Sequence, residues 1–188
     1  TSGGCVSVRA RQSRPDRASG WMVTKPGNAC RAMGRSARPG VLKEDGTPFL
    51  GGDYEFRDGA IDVLRDGKDV TILTMGHLAG RAVEAAEALA KEGISAKVLH
   101  CATPLTMDAE KLFELVGSTP LLTAEDHHAD TGIGAIAALA FARAGKAVKI
   151  KNLGVTRYGF SGPNKEVLAD MGLCAEGIAA AAKELLND

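Results

Sequence analysis

Aromatic side chains are scarce in this chain: one Trp, two Tyr and five Phe make up 4% of its 188 residues. Alanine supplies much of the apolar share, which calls for helices lying close to a sheet and a thin, tight core. Cysteine is sparse as well. Cys5, Cys30, Cys101 and Cys174 stand far apart and form no Cys-x-x-Cys pair, which excludes a disulfide framework and points to reduced thiols in a cytoplasmic compartment. The longest uncharged stretch in the second half, Thr131 to Ala142, is too short to cross a bilayer, so no membrane role is expected. No charged-then-apolar signal segment opens the chain, and its start at Thr1 reads as a piece of something longer. Net charge is zero, with 23 Lys and Arg against 23 Asp and Glu, and mean hydropathy is -0.04. Wholesale disorder and collagen-like repeats are thereby excluded. There is also no Gly-x-Ser-x-Gly elbow, His-Glu-x-x-His helix or phosphate loop ending in Gly-Lys-Ser/Thr.

The zero net charge conceals a division. Residues 1–40 carry eight basic groups (Arg9, Arg11, Arg14, Arg17, Lys25, Arg31, Arg35 and Arg38) against Asp16 alone, a charge of +7, so the remainder carries −7. That first segment mixes Gly, Ser and Pro with no period of 2 or 3.6, and reads as a basic, poorly ordered leader or linker. Its arginines are not interleaved with aromatics as a single-strand platform requires, so nucleic acid is not an expected partner. Residues 41–188 read as the folded domain.

From about residue 54, strands and helices alternate. Ala60–Leu64 and Val70–Met75 are apolar runs joined through Asp66-Gly67, a tight-hairpin signal that predicts an antiparallel pair. Leu78–Lys91 places Leu78, Ala82, Ala86, Leu89 and Ala90 on one helical face, and Gly93 is a suitable stop. Ile94–Leu99 reads as a strand, followed by a helix that Asp108 caps and Gly117 ends. Leu121–Ala124 is a short strand, and Gly134–Ala144 is a helix apolar nearly all round, which predicts burial. Val148–Val155 is a further strand, with Lys149 and Lys151 guarding an edge. Pro163 suits a first helical turn, with Ser161 and Gly162 as cap candidates, and Glu176–Leu186 forms a final helix. This order predicts a three-layer α/β/α fold around a mostly parallel sheet with one antiparallel strand.

The densest polar segment runs from Glu125 to Gly134 at the carboxyl edge of the sheet, where open α/β folds place ligands. As a metal site, its adjacent His127 and His128 lack the i,i+4 spacing that shares one ion. As a dinucleotide site, Gly132-Ile133-Gly134-Ala135-Ile136-Ala137 satisfies Gly-x-Gly-x-x-Ala. However, seven residues separate it from Ala124, too many for the tight turn, with no acid about 20 residues on. In the third reading, Gly132 and Gly134 allow close packing while the histidines face a neighbouring subunit or domain. His77 ends a strand before a helix, either as a partner to a bound anion or as a plain polar cap residue. His100 and Cys101 lack a third ligand and read as packed.

Three segments together resemble one family. Tyr54-Glu55-Phe56 with Lys68-Asp69-Val70-Thr71-Ile72-Leu73-Thr74-Met75-Gly76 resembles the opening of the transketolase C-terminal domain. Thr123-Ala124-Glu125-Asp126-His127 with Thr131-Gly132-Ile133-Gly134 is similar to its Thr-x-Glu-[Glu/Asp]-His and Gly-Gly-x-Gly segment, with Asp130 and Thr131 departing at one of the paired glycines. Arg157-Tyr158-Gly159-Phe160-Ser161-Gly162, followed by Leu168, Met171, Gly172 and Leu173, resembles its ending. The order and spacing match over about residues 33–188, most like the C-terminal portion of a split, two-subunit transketolase.

This resemblance implies a five-stranded sheet with one antiparallel strand. It also implies membership of an enzyme that uses thiamine diphosphate and Mg2+ to move two-carbon ketol units between sugar phosphates. In that family the cofactor lies between two other domains across a dimer, and the third domain supports the dimer. The chain has no Gly-Asp-Gly with a downstream Asn and no pyrimidine-binding domain with its activating glutamate. It is therefore expected to bind no cofactor alone, to need other transketolase domains or subunits as partners, and to form a homo-oligomer. The alternative is a stand-alone small-ligand or regulatory module using the carboxyl-edge loops. Candidate interface or ligand-edge residues are His77, Glu125, His127, His128, Gly132, Gly134, Arg157 and Ser161. No catalytic residue or metal ligand is assigned.

Overall fold

A computed structural model describes residues 4–6, 17–24, 29–31, 40–43, 45–49, 51 and 54–188. Its main sheet has five strands: β3 (Ile61–Arg65), β4 (Val70–Thr74), β5 (Ala96–Cys101), β6 (Leu121–His128) and β7 (Ile150–Val155), in the order β3-β5-β4-β6-β7. All neighbouring pairs are parallel except β3 with β5. All five residues of the central β4 are buried, as befits a parallel strand covered on both faces.

Side-chain alternation divides the core in two. Val70, Ile72, Ala96, Val98, Leu122 and Ala124 pack under α2 (Ala79–Lys91) and α6 (Ala175–Asn187), with Leu168 of α5 (Asn164–Asp170) joining them. Leu73, Leu99, Cys101 and Leu121 face α3 (Ala109–Val116) and α4 (Ile133–Arg143) on the other side. The connection β4–α2–β5 moves one way along the sheet, whereas β5–α3–β6 and β6–α4–β7 move the other way. Right-handed crossovers therefore send α2 to one face and α3 and α4 to the opposite one. The element order and three-layer architecture expected from the sequence are those observed.

Local signals account for several boundaries. The Asp108 carboxylate accepts the Lys111 amide at 3.0 Å and starts α3, which Gly117 ends at φ +56°.

The expected hairpin is not formed. β3 and β4 do run in opposite senses, but β5 lies between them and is the strand that β3 pairs with. The link from Asp66 to Asp69 crosses the start of β5, where the Lys68 and Asp69 amides both donate to the Ser95 carbonyl (3.1 and 2.9 Å). Gly67 serves close approach rather than a positive φ: a Cβ there would stand 2.3 Å from the Ala96 carbonyl carbon and from the Lys97 nitrogen.

Three further expectations are corrected. Pro163 is the N-cap of α5 and not its first turn, and no side chain, Ser161 included, caps that helix. β6 continues to His128, because the polar residues after Ala124 extend the ladder to β7 (His128 opposite Val155) instead of forming a loop. Finally, α4 is covered on one side only, with Leu139 49% exposed and Ala142 also exposed.

The reading of residues 1–40 as a leader lies mostly outside the described residues. Within them, β1 (Gly4–Val6) pairs in parallel with β2 (Ala29–Arg31), and α1 (Arg17–Thr24) falls between the two in sequence. Ala18 of α1 is buried with Ala102, and the Trp21 and Phe56 rings meet edge to face at 5.3 Å.

Replacing Gly67 with Ala should lower unfolding free energy by about 1–3 kcal/mol, the usual cost of overpacking. Gly80→Ala, on α2 with nothing within 4 Å of the new carbon, should be neutral or stabilise by up to about 1 kcal/mol. Urea unfolding of both variants checks the contrast.

Candidate functional site

The strand order sets a switch point between β4 and β6, since the chain leaves β4 toward β5 and reaches β6 from the other side. Ligands in open α/β sheets settle in the crevice outside such carboxyl ends. Here β4 delivers His77 through a turn at Gly76 (φ +57°), and β6 delivers Glu125, Asp126, His127 and His128.

Glu125 has no exposed surface. Its carboxylate is directed at the start of α4, where the Ile133 amide donates to Oε2 at 2.7 Å and the Gly134 amide to Oε1 at 2.9 Å. Two of the four amides that a helix start leaves unpaired are satisfied this way, and the acid sits at the favourable end of the helix dipole. The glycines follow from the same contact. A Cβ on Gly132 would lie 1.5 Å from the carboxylate, and one on Gly134 would lie 2.5 Å from Thr123 Oγ1 and 2.6 Å from Asn152. The Gly-x-Gly segment therefore provides clearance, and its amides are spent on the protein's own acid. A dinucleotide phosphate has no place there.

Strand alternation turns the next residue to the opposite face. Asp126 Oδ2 lies 2.6 Å from His77 Nδ1, and Oδ1 lies 3.3 Å from His127 Nδ1. The His77 side chain is almost fully buried, Asp126 is partly covered and His127 is half exposed. Asp126 was missed as a candidate by sequence reasoning. The available signal was that extending β6 past Ala124 sends Glu125 toward α4 and Asp126 toward the chain leaving β4.

The two adjacent acids are pushed in opposite directions. Desolvation raises Glu125 above its ordinary 4.5, and the two amide hydrogen bonds only partly offset it. Desolvation also acts upward on Asp126, but hydrogen bonds from His127 and His77 and their charges outweigh it and hold the carboxyl well below its ordinary range. His127 is raised by its hydrogen bond to Asp126 against the opposing effect of burial.

The other candidates lie apart in role. His128 Nδ1 accepts the Asp130 amide at 3.3 Å and lies 3.8 Å from the Asp130 carboxylate, both side chains being exposed, so the ionic part of this contact is of the kind worth little. Arg157 anchors the loop between β7 and α5 by donating to the Asp170 carbonyl (3.1 Å) and carboxylate (2.6 Å). Ser161 is exposed on that loop. At the end of β5, His100 lies 3.6 Å from Asp62, which also accepts the Tyr54 hydroxyl at 3.0 Å. Burial pushes the Cys101 thiol up to about 12, so it is protonated near neutrality and is no nucleophile.

An imidazole held by a carboxylate can orient and exchange a proton. Among the described residues no group of three or more His, Cys, Asp or Glu side chains could hold a metal ion. With the α4 amides occupied by Glu125, this helix start does not fit the diphosphate of thiamine diphosphate.

The opposite shifts give opposite pH dependences. Glu125, raised in the fold, contributes stability that is complete below 4.5 and is lost as pH rises through its higher folded value. Asp126, lowered in the fold, contributes stability that is complete above 3.8 and is lost on further acidification. Glu125→Gln copies the protonated acid, so its stability deficit should shrink as pH rises above 4.5, while that of Asp126→Asn should shrink as pH falls below 3.8. Denaturant titrations on both sides of these values check both signs.

The comparisons with known proteins agree with this architecture. Residues 59–178 match the family model described as Transketolase, C-terminal domain. The chain is 31% identical to a subunit of the apulose-4-phosphate transketolase of Actinobacillus succinogenes, over 71% of this chain and 44% of that protein. It is 34% identical to 1-deoxy-D-xylulose-5-phosphate synthase 1 of Geobacter sulfurreducens, over 71% of this chain and 22% of that protein. It thus spans less than half the length of either relative. A solved structure described as "Split gene transketolase, inactive beta4 tetramer" superposes with a TM-score of 0.80 at 29% identity, covering 91% of this chain and 54% of that one. By its fold, its matched segment and its relatives, the chain belongs to the transketolase family and carries that family's C-terminal domain.

Proposed function

We propose that this chain is the scaffold and dimer-interface part of a thiamine diphosphate-dependent, transketolase-type enzyme that moves ketol units between sugar phosphates, and that it is not competent alone. Residues 41–188 form the C-terminal domain in this reading, and residues 1–40 are the linker that joins it to the rest of the assembly. The observation that carries it is the filled switch point: Glu125 takes the helix-start amides that a bound anion would use. Thiamine diphosphate supplies carbanion stabilisation in such an enzyme, and in this reading its binding residues belong to other domains or subunits. The relative named as one subunit of a transketolase supports a divided enzyme, and the structure described as a β4 tetramer supports self-association of this chain.

The Asp126–His127 pair at the mouth of the switch point favours a second reading, a small-ligand or regulatory module. Calorimetry of the full chain with nucleotides and sugar phosphates separates the two, because micromolar binding without a partner supports the module.

The direct test is ketol transfer with thiamine diphosphate and Mg2+, by the chain alone and after mixing with candidate partner subunits that carry a Gly-Asp-Gly segment. The expected result is no transfer alone and transfer on mixing. Robust transfer by the chain alone overturns the proposal.

A further inference from the structure

The dipeptide Asp-Gly occurs three times in the chain, at Asp45-Gly46, Asp58-Gly59 and Asp66-Gly67. In such a pair the glycine amide reaches the preceding carboxyl easily, because no Cβ hinders the approach. The fold treats the three differently. The Asp45 carboxylate accepts the amide (2.9 Å) and the hydroxyl (2.6 Å) of Thr47, while the Gly46 amide donates to the Lys43 carbonyl at 3.0 Å. The Gly59 amide donates to Thr103 Oγ1 at 2.7 Å in a buried contact, and the Asp58 carboxylate accepts the Thr106 hydroxyl at 2.5 Å. In both pairs, amide and carboxylate are held by other partners. In the third pair they hold each other: the Gly67 amide donates to Asp66 Oδ1 at 2.9 Å. The Asp66 side chain is 90% exposed, with Lys97 Nζ 3.9 Å from the same oxygen. The main chain of Ala96 and Lys97 closes off the other side of Gly67 and keeps it in place.

We propose that Asp66-Gly67 is a site of spontaneous isoaspartate formation, and that it converts ahead of the other two Asp-Gly pairs. The Gly67 nitrogen bonds to Asp66 Cγ, and the hydroxyl of the protonated carboxyl leaves with the amide proton as water, closing a five-membered succinimide. Water then adds to one of the two ring carbonyls. Opening at the side-chain carbonyl returns aspartate. Opening at the main-chain carbonyl gives isoaspartate, in which the chain runs through Cβ. No oxidant or reductant takes part. A nitrogen already resting against the carboxyl it attacks has the advantage of an oriented intramolecular reaction. Gly59, by contrast, must first give up a buried hydrogen bond. The fold also sets the consequence. The link from Asp66 to Asp69 crosses the start of β5 with the Lys68 and Asp69 amides on the Ser95 carbonyl, and Gly67 has no room for one more carbon. Isoaspartate lengthens the main chain by one carbon at this crossing, so converted chains lose the fit and unfold at lower urea concentration.

Incubation of the full chain in mildly acidic buffer, beside the same chain held unfolded in guanidinium, tests the proposal. Cleavage after lysine releases residues 44–68 as one peptide carrying all three pairs, and electron-transfer fragmentation tells isoaspartate from aspartate at each. The unfolded chain should convert at similar rates at the three positions. The folded chain should convert at Asp66 at least about tenfold faster than at Asp45 or Asp58. Asp66→Glu, which would have to close a six-membered ring, should abolish the product there. Similar conversion at all three positions of the folded chain overturns the proposal, as does conversion led by Asp45 or Asp58. An Asp66 that stays intact while the unfolded chain converts overturns it as well. Should Asp66→Glu fail to fold, the folded and unfolded wild type decide alone. The converted fraction should show a lowered urea midpoint, and an unchanged midpoint overturns the structural consequence.

Discussion

One buried carboxylate sets the geometry of the carboxyl edge. Taking Glu125 out of water costs several kcal/mol unless its oxygens are matched, and the match is two amides at the start of α4. Those bonds fix where the helix begins relative to β6, and the short approach forces Gly at 132 and 134. With the helix start seated, Ile133, Ala137 and Phe141 reach the sheet, and the opposite face of the same helix is left outward. A single polar contact thereby determines both what the switch point excludes and what surface the domain presents.

Glu125 and Asp126 also show how strand geometry separates two neighbouring acids. Their side chains leave opposite faces of β6. Glu125 meets neutral amide donors and is destabilised as an anion by burial, whereas Asp126 meets two imidazoles and is stabilised as one. Pairs of acids driven apart in this way often mark acid–base chemistry. Here Glu125 is sealed from solvent, and its carboxylate and that of Asp126 tie the start of α4 and the turn after β4 to β6.

Local physics was legible in the sequence and long-range pairing was not. The cap at Asp108 and the stops at Gly93 and Gly117 depend on neighbours within a few residues and stand where the pattern put them, whereas strand limits shift, β5 running over Ala96–Cys101 and not Ile94–Leu99. The Asp66-Gly67 turn misled because a hairpin and a crossing link share the same residues. Only the later insertion of β5, with Ser95 accepting the link's amides, distinguishes them. The end of β6 was hidden by its polarity. A strand whose last residues bind a helix start and two histidines loses its apolar alternation, and Asp126 was lost with it. The resemblance to the transketolase C-terminal domain lay in three spaced segments, one of which is this stretch. Its residues mark the family through the clearance and charge the joint requires.

The exposure of α4 is the remaining departure, and it has a physical logic. A helix rich in Ala has little side-chain entropy to lose and approaches another helix closely. The domain's own core does not need α4's outer face, because Leu121, Leu73 and Phe113 already complete the cluster beneath it. The fold thus leaves the outward face of α4 to solvent with no loss to the core beneath it.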